Sequence, residues 1–360
     1  MTREGLTREQ VELTGWAIEA MQEPDGAIPW TTGGQADVWN HVESAMALLV
    51  AGRTHAVDRA WAWVRRTQRA DGSWAMRYAG GEVADPSGET NMAAYVAVGV
   101  WHHWLVRRDP AFVRGLWPTV RRALDFACGL QLEFGGIAWS QEWSASGPAR
   151  VNAEALLAGS SSIHHALRAG LSIAELLEDP EPDWELTAGR LGHALREHRG
   201  EFLDKATFAM DWYYPVLGGA VRGRAGHDLV ASRWEEFVVP GLGVRCVDTN
   251  PWVTGAETGE LVLALEALGD RERALVLFAD AQHLRDDDGS YWTGSVYPED
   301  VRWPDEHTTY TAAAILLAHD ALTDSTPGAD LVRGHHLVPD PEPLGLECGC
   351  SSADAFAART

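Results

Sequence analysis

The sequence is poor in cysteine and in positive charge, and Lys205 is its only lysine. Four cysteines in 360 residues are too few for a disulfide scaffold, which favours a reducing compartment, and we expect the cytoplasm. Lys and Arg number 29 against 52 Asp and Glu, a formal net charge of −23. That balance argues against nucleic acid or an anionic membrane as a partner.

Several sequence patterns are also missing. No apolar run reaches the roughly 18 residues that cross a bilayer, and the charged residues 1–10 lack the pattern of a signal peptide. There is no phosphate-binding glycine loop, no Gly-x-Ser-x-Gly elbow and no dinucleotide fingerprint. With 46% hydrophobic residues, the chain can still bury a large core. We predict one domain over residues 1–325 and a poorly ordered tail over 326–360, which holds Cys348 and Cys350.

What the chain does contain is an internal repeat. Three segments, 59–74, 122–139 and 273–292, share the same frame. Each has an Arg-Ala pair, a Gln nine residues after the Arg, and then a Gly with a Trp shortly after it. A weaker copy covers 16–30. Glycine permits a left-handed turn after a helix, and Trp can cover the junction with an apolar face. The repeat therefore predicts helical hairpins, in which these tryptophans are structural.

After each turn comes a helix more apolar than the one before it. Because helices that are apolar all round are buried, the alternation predicts an all-α fold, an α/α toroid of five to six hairpins with inner and outer layers. The region 206–250 fits less well: 208–219 is predicted to be extended and 227–238 a short helix. The predicted inner helices are 38–51, 90–106, 151–169, 254–268 and 308–322.

The repeat resembles the QW repeat of terpenoid cyclases, whose superfamily includes protein prenyltransferase β subunits. Those subunits carry Asp-x-Cys before one inner helix and His-Thr-x-Tyr before the next. This chain has Asp248 and Asn250 at the first place and His307 with Tyr310 at the second. The resemblance implies an enzyme acting on an isoprenoid or prenyl diphosphate, with Asp248 and His307 as zinc ligands. Asn250 is a poor zinc ligand, so Cys246 is the alternative third ligand.

A diphosphate needs cations, and guanidinium groups suit phosphate because they form paired hydrogen bonds. Several arginines precede Asp248 in the chain. The resemblance gives them the role of binding the phosphates. They are Arg222, Arg224, Arg233 and Arg245.

Carboxylates also stand at the start of the predicted inner helices, where the helix dipole favours them. In a toroid these helix ends ring the mouth of one cavity, together with tryptophans. Such a cavity suits either a carbocation or a sugar. The acids are Glu43, Glu89, Glu154, Glu257, Glu260, Asp305 and Glu306, and the tryptophans are Trp39, Trp143, Trp212, Trp252 and Trp303.

Two other functions stay open at this point. Glycoside hydrolysis needs two carboxyl groups about 5 to 9.5 Å apart, and Glu235 or Glu236 could act with Glu306 or Asp305. This arrangement resembles inverting glucoamylase-type enzymes of the six-hairpin class. The third possibility is a toroid that binds a ligand without turnover. The sequence indicates no oligomeric state.

Overall fold

The computed structural model describes residues 5–341. Helices dominate this part of the chain, and short strands occur between them. The helices are α1 (Arg8–Met21), α2 (Val38–Val50), α3 (Thr54–Thr67), α4 (Thr90–Ala94), α5 (Val96–Arg107), α6 (Pro110–Cys128), α7 (Leu157–Leu177), α8 (Pro182–Glu197), α9 (Ala209–Leu217), α10 (Gly223–Ser232), α11 (Trp234–Phe237), α12 (Gly255–Leu268), α13 (Arg271–Asp280) and α14 (Thr309–Thr323). Three 3-10 turns cover Arg199–Glu201, Ala281–Leu284 and Pro327–Leu331.

Six hairpins pair an outer helix with an inner one, and the inner helices close a ring. In ring order the inner helices are α2, α4 continued by α5, α7, α9, α12 and α14, which packs back on α2. They are buried on almost all sides; α14, for example, is buried over most of its length. The α/α toroid predicted from the repeat is confirmed.

One hairpin differs from its prediction. Residues 209–217, expected to be extended, form the inner helix α9, and α10 is its outer partner. Aromatic and Pro residues made this stretch look like a strand, but Tyr213 and Tyr214 are buried against the neighbouring inner helices. Tertiary burial here overrides local propensity. The inner helix predicted over 151–169 starts only at Leu157, because 151–155 belong to a strand.

The strands form three small antiparallel sheets, in the orders β1-β2-β3, β4-β5-β6 and β11-β10-β9-β8-β7. All of them occur in the long connections that precede inner helices. They are β1 (Gln35–Ala36), β2 (Arg77–Ala79), β3 (Glu82–Asp85), β4 (Gly88–Glu89), β5 (Ala138–Ser144), β6 (Gly147–Ala155), β7 (Val238–Val239), β8 (Gly243–Arg245), β9 (Trp252–Thr254), β10 (Gly294–Val296) and β11 (Val301–Arg302).

In three of its four copies the repeated Gln fastens an outer helix to the next one. Gln68, after α3, donates to the carbonyls of Gly72 at 3.1 Å and of Thr119 in α6 at 2.9 Å, and it accepts from Arg122. A Cβ on Gly72 would lie 1.9 Å from the Arg122 carbonyl oxygen, so this turn requires glycine. Gln22 and Gln131 donate in the same way to the following outer helices.

The last copy closes the outer ring. The turn at Gly289 packs on Leu13 and Thr14 of α1, as a Cβ there would lie 2.6 Å from the Leu13 carbonyl carbon. The acidic run beside it serves the turn: Asp288 accepts from the Ser290 backbone N–H at 2.9 Å. The repeat is therefore a structural feature of the outer layer.

Residues 326–341, part of the predicted tail, lie against the barrel. Leu331 is 3% exposed, and Arg333 bonds to Glu266 of α12 at 3.0 Å. The division at residue 325 stays a prediction. Cys348 and Cys350 lie outside the described residues.

Candidate active site

All inner helices begin at the same end of the ring. The connections into them are long, such as 129–156 and 281–308, whereas those out of them are short, such as 51–53 and 269–270. The long connections and their strands therefore surround one mouth, as predicted from sequence. The side chains of the first inner-helix turns face this mouth or the lumen below it.

Two buried carboxyl groups lie together on one wall of the mouth. Asp37 caps α2 and accepts from Asn40 N–H at 2.8 Å and Trp30 Nε1 at 2.7 Å. Glu89 caps α4, accepting from the Met92 N–H, and is 8% exposed. Burial raises the pKa of Asp37. Burial, with a smaller effect from Asp37, raises the pKa of Glu89 to about 8.

Glu257 stands on the opposite wall. It belongs to α12, which is three places from α4 in the ring of six. Its carboxylate accepts from the Thr254 hydroxyl. It also interacts electrostatically with Tyr213 of α9 and Tyr310 of α14, the helices on either side of α12. A side chain that reaches both neighbours faces the lumen.

A second pair of acids lies deeper in the lumen. Glu260 accepts from the Tyr213 hydroxyl and, at 2.5 Å, from the Tyr214 hydroxyl. Burial raises the pKa of Glu260 to about 8. Burial and the nearby Glu260 carboxyl hold the pKa of Glu43 well above its ordinary value. Both acids line a cavity of about 40 Å³ that reaches down to Leu331. This volume holds water but not a sugar ring.

Aromatic rings contribute to the lumen and the rim. Trp39 lines the lumen and stacks on Tyr95 at 4.8 Å between ring centroids. Trp252 and Trp303 meet edge to face at 5.2 Å, and Trp303 is 53% exposed. Trp303 and Trp252 lie in the connections leading into α14 and α12, so they offer an exposed aromatic surface beside the mouth.

The three predicted zinc ligands do not meet. Asp248 pairs with Arg233 at 2.9 Å, His307 contacts Asp286 at 2.8 Å, and the Cys246 thiol lies beside Glu257. Among residues 5–341 no group of three or more His, Cys, Asp or Glu side chains is arranged to hold a metal ion. Burial and the Glu257 carboxylate raise the pKa of Cys246, which disfavours the thiolate that zinc needs.

The predicted phosphate-binding arginines do not form one site either: Arg222 donates to the carbonyls of Val216 and Val332, and the other three have separate partners. Arg245 donates to the carbonyls of Glu236 and Asp248, both at 3.1 Å. Arg233 pairs with Glu236 as well as Asp248. Arg224 is exposed on α10 and lies 3.7 Å from Asp228. Each is neutralised by acids or carbonyls of its own surroundings, so they form no joint phosphate site.

The predicted glycosidase pair is likewise separated. Glu235 and Glu236 are exposed on the short helix α11. Glu306 is half-buried at the mouth, where it accepts from the Thr293 hydroxyl at 3.2 Å, while Asp305 is exposed. Trp212, predicted to line the cavity, packs on Phe237 at 5.2 Å instead. The predicted site residues that face or border the mouth include Glu257, Glu306, Trp39, Tyr310, Trp252 and Trp303.

Sequence reasoning named Glu43, Glu89 and Glu260 as inner acids but did not place them among the site residues. Asp37, with Asn40 and His41, is a polar group of the sequence that could line a site, but the motif is not specific. Its signal is an acid before an apolar helix, which is also what an ordinary N-cap looks like. Tyr95, Tyr213 and Tyr214 had no sequence signal, because their orientation depends on the packing of the ring.

The chain is 50% identical over 353 residues to an MMP endo-(1,4)-3-O-methyl-alpha-D-mannosidase from Mycolicibacterium hassiacum, covering 97% of this chain and 96% of that protein. The chain belongs to this enzyme's family. No protein-family model matches the sequence.

Solved structures share the fold. A glycosidase variant in complex with glucose matches with a TM-score of 0.69 at 16% identity, over 88% of this chain and 96% of that one. A D-mannose isomerase matches with a TM-score of 0.66 at 11% identity, also over 88% and 96%. At these identities the likeness shows the α/α toroid alone.

The prediction of a prenyltransferase or terpenoid cyclase acting on an isoprenoid is wrong. The family is that of a mannosidase that is 50% identical to this chain. The QW-like repeat fastens outer helices and carries no chemistry, so it reports the toroid and not the reaction. No helix of the described residues is long and apolar enough to cross a membrane.

Proposed function

We propose that the chain is a glycoside hydrolase that cleaves α-(1→4)-linked chains of 3-O-methylmannose internally. The observation that carries the proposal is the pair of carboxyl groups on opposite walls of the mouth, Glu89 at the N-terminal cap of α4 and Glu257 in the first turn of α12. The substrate class rests on the named activity of the relative that is 50% identical.

The dimensions of the ring suit this chemistry. Opposite helices in a ring of six packed at about 8 to 10 Å lie roughly 16 to 20 Å apart. A helix with its side chains has a radius of about 5 to 6 Å, which leaves facing carboxyl groups roughly 4 to 10 Å apart. Glycoside hydrolysis requires a separation in the range of about 5 to 9.5 Å.

The two groups suit different roles. Glu89, with its pKa raised to about 8 by burial, keeps its proton at neutral pH and can donate it to the leaving oxygen. Glu257 is half-buried and receives a hydrogen bond from Thr254, so it can act as the carboxylate partner. Asp37 lies beside Glu89, and its hydrogen bonds from Trp30 and Asn40 keep it in place. Buried Trp39 Nε1 and Asn91 Oδ1 lack partners among the described residues and could bond sugar hydroxyls.

The test is hydrolysis of a purified 3-O-methylmannose oligosaccharide, with products sized by mass spectrometry. We expect internal cleavage, with kcat/KM falling above about pH 8 as Glu89 loses its proton. Glu89→Gln and Glu257→Gln should each lower kcat at least about 100-fold, whereas the exposed Glu235→Gln serves as the control. Proton NMR of the first product then distinguishes inversion from retention. Full activity of Glu257→Gln would disprove the assigned pair.

A further inference from the structure

A group of arginines lines a second cavity, away from the acidic mouth. Its volume is about 530 Å³. The cavity lies at the C-terminal end of the short helix α9, where the segment after α14 packs beneath that helix. Arg168 of α7, Arg196 of α8 and Arg222 in the α9–α10 connection line it, together with Gly219, Arg333 and Asp340. Such a concentration of positive charge is unexpected in a chain of net charge −23.

Two of these arginines have no carboxylate within ion-pair distance among residues 5–341. Arg168 donates from Nε and Nη2 to the Val338 carbonyl, at 3.1 and 2.9 Å. Arg222 donates to the carbonyls of Val216 and, at 2.8 Å, Val332. Arg168 is 8% exposed. Burial, and then the neighbouring Arg168, lower the pKa of Arg222 to about 10. Buried charges without counterions are costly, so these two cations favour an anion.

Gly219 keeps the space between the two guanidinium groups open. A Cβ on this residue would lie 2.9 Å from Arg168 Nη1 and 3.3 Å from Arg222 Nη2. The two groups are therefore no more than about 6 Å apart, a distance that one tetrahedral oxyanion can bridge with hydrogen bonds of about 2.7 to 2.9 Å on each side.

The other charged side chains of the cavity already have partners. The Asp340 carboxylate accepts from Arg196 Nη1 at 2.7 Å and contacts His164 Nε2 at 2.9 Å. Arg333 is bound to Glu266, Asp324 and Asp330. Asp340 is the acidic residue that lines the cavity near Arg168 and Arg222. Its single negative charge does not balance the arginines, so the cavity keeps an excess of positive charge.

We propose that this cavity binds a phosphate-type oxyanion, held between Arg168 and Arg222 beside the Gly219 backbone. Guanidinium groups bind phosphate through paired, charge-assisted hydrogen bonds. The volume admits inorganic phosphate and also the phosphate group of a hexose phosphate. Asp340 repels the anion but is not required to hold it. This site is independent of the carboxyl pair at the mouth.

The test is calorimetric titration of the full chain with inorganic phosphate and, separately, with mannose 6-phosphate, at fixed ionic strength set with chloride. We expect saturable binding of at least one of them. Tighter binding of the sugar phosphate would show that the group is carried on a sugar, and tighter binding of inorganic phosphate would show a free ion.

Two substitutions should weaken anion binding, and a third should strengthen it. Arg168→Met and Arg222→Met should weaken binding at least about tenfold, because each removes a charge-assisted bond. Asp340→Asn removes a nearby negative charge and should tighten binding about fivefold or more. Arg224→Met, on the exposed surface of α10, is the matched control. Circular dichroism confirms that each variant is folded.

Absence of saturable binding in both the natural chain and Asp340→Asn would overturn the proposal. An equal loss of affinity in Arg224→Met and Arg222→Met would also overturn the proposal, since binding would then depend on the overall charge of the chain. If Arg168→Met or Arg222→Met does not fold, the Asp340→Asn comparison still decides, because an unchanged or weaker affinity there contradicts the site.

Discussion

At the scale of single residues, the acidic lumen should make stability depend on pH. Glu89 has a pKa of about 8 in the folded chain because it is buried, whereas an unfolded Glu titrates near about 4.3. Between those values the folded state keeps a proton that the unfolded state has released. The Glu89 contribution to the free energy of unfolding therefore falls as pH rises from about 5 to 8 and levels off above that.

Glu89→Gln should flatten this profile. Gln cannot ionise, yet its side-chain oxygen can still accept from the Met92 N–H. Urea unfolding at pH 5 and pH 8 should show the variant losing less stability than the natural chain, by up to about 4 kcal/mol. Glu260, with its pKa also raised to about 8, leaves a residual slope. The control is Glu235→Gln, on the surface. Parallel profiles for natural chain and Glu89→Gln would contradict the burial argument.

Two predicted site residues have side chains directed toward other partners. Asp248 and His307 stand at the expected positions in the chain, but their side chains turn to Arg233 and Asp286. The directions of the Asp248 and His307 side chains do not follow from the order of residues in the chain. They are set by the paired strands β8 and β9 and by the turn at Asp286. The position of Glu257 at the lumen could be expected from the sequence, because an acid in the first turn of a fully apolar helix points inward; its catalytic role stays a prediction.

At the scale of elements, the outer helices depend on the repeated Gln. Gln68→Ala removes two bonds to carbonyls and one from Arg122, which joins α3 to α6. Since a net hydrogen bond contributes about 0.5 to 1.5 kcal/mol, we expect a loss of roughly 2 to 3 kcal/mol in the free energy of unfolding. Gln141→Ala, on strand β5, is the control.

The Gln68→Ala variant should keep its catalytic constants at low temperature, because the clamp lies in the outer layer. Thermal unfolding followed by circular dichroism measures the loss. A loss equal to that of Gln141→Ala would mean that the repeated Gln does not stabilise the outer layer.

The elements explain why the fold was more predictable than the site. The Arg-to-Gln spacing recurs because copies of the repeat make the same contact: Gln22 accepts from Arg59, and Gln68 accepts from Arg122, the Arg of the next copy. Because the same contact between outer helices recurs, the same residues recur in the sequence. Helix α9 escaped because it has only nine residues, contains Pro215 and lacks a repeat copy before it. The site has no such repetition, since each inner helix contributes a different residue.

At the scale of the whole molecule, residues 327–341 complete the barrel. Leu331 and Val332 line the bottom of the lumen cavity, and Val338 accepts from Arg168 of α7. The inner helix α9 is shorter than its neighbours, so this segment covers part of the ring that α9 leaves open. Sequence composition, rich in Pro, Gly and charge, could not show this, because the contacts involve residues more than 100 positions away.

Arg333 connects this segment to the inner ring. It pairs with Glu266 of α12, whose side chain is 5% exposed, and donates to the Ala321 carbonyl of α14. Arg333→Met leaves the buried carboxylate with Arg271 at 3.5 Å. We expect a loss of about 2 kcal/mol in the free energy of unfolding, because the longer contact with Arg271 compensates the buried carboxylate only weakly, and a weakly compensated buried charge is costly. The double variant Arg333→Met with Glu266→Gln should recover about half of it, since the buried charge is gone. Arg8→Met, at an exposed pair on α1, should change stability by less than about 0.5 kcal/mol. Urea unfolding of these chains and of the single variant Glu266→Gln measures the differences. If the losses of the two single variants simply add in the double variant, Arg333 does not act through Glu266.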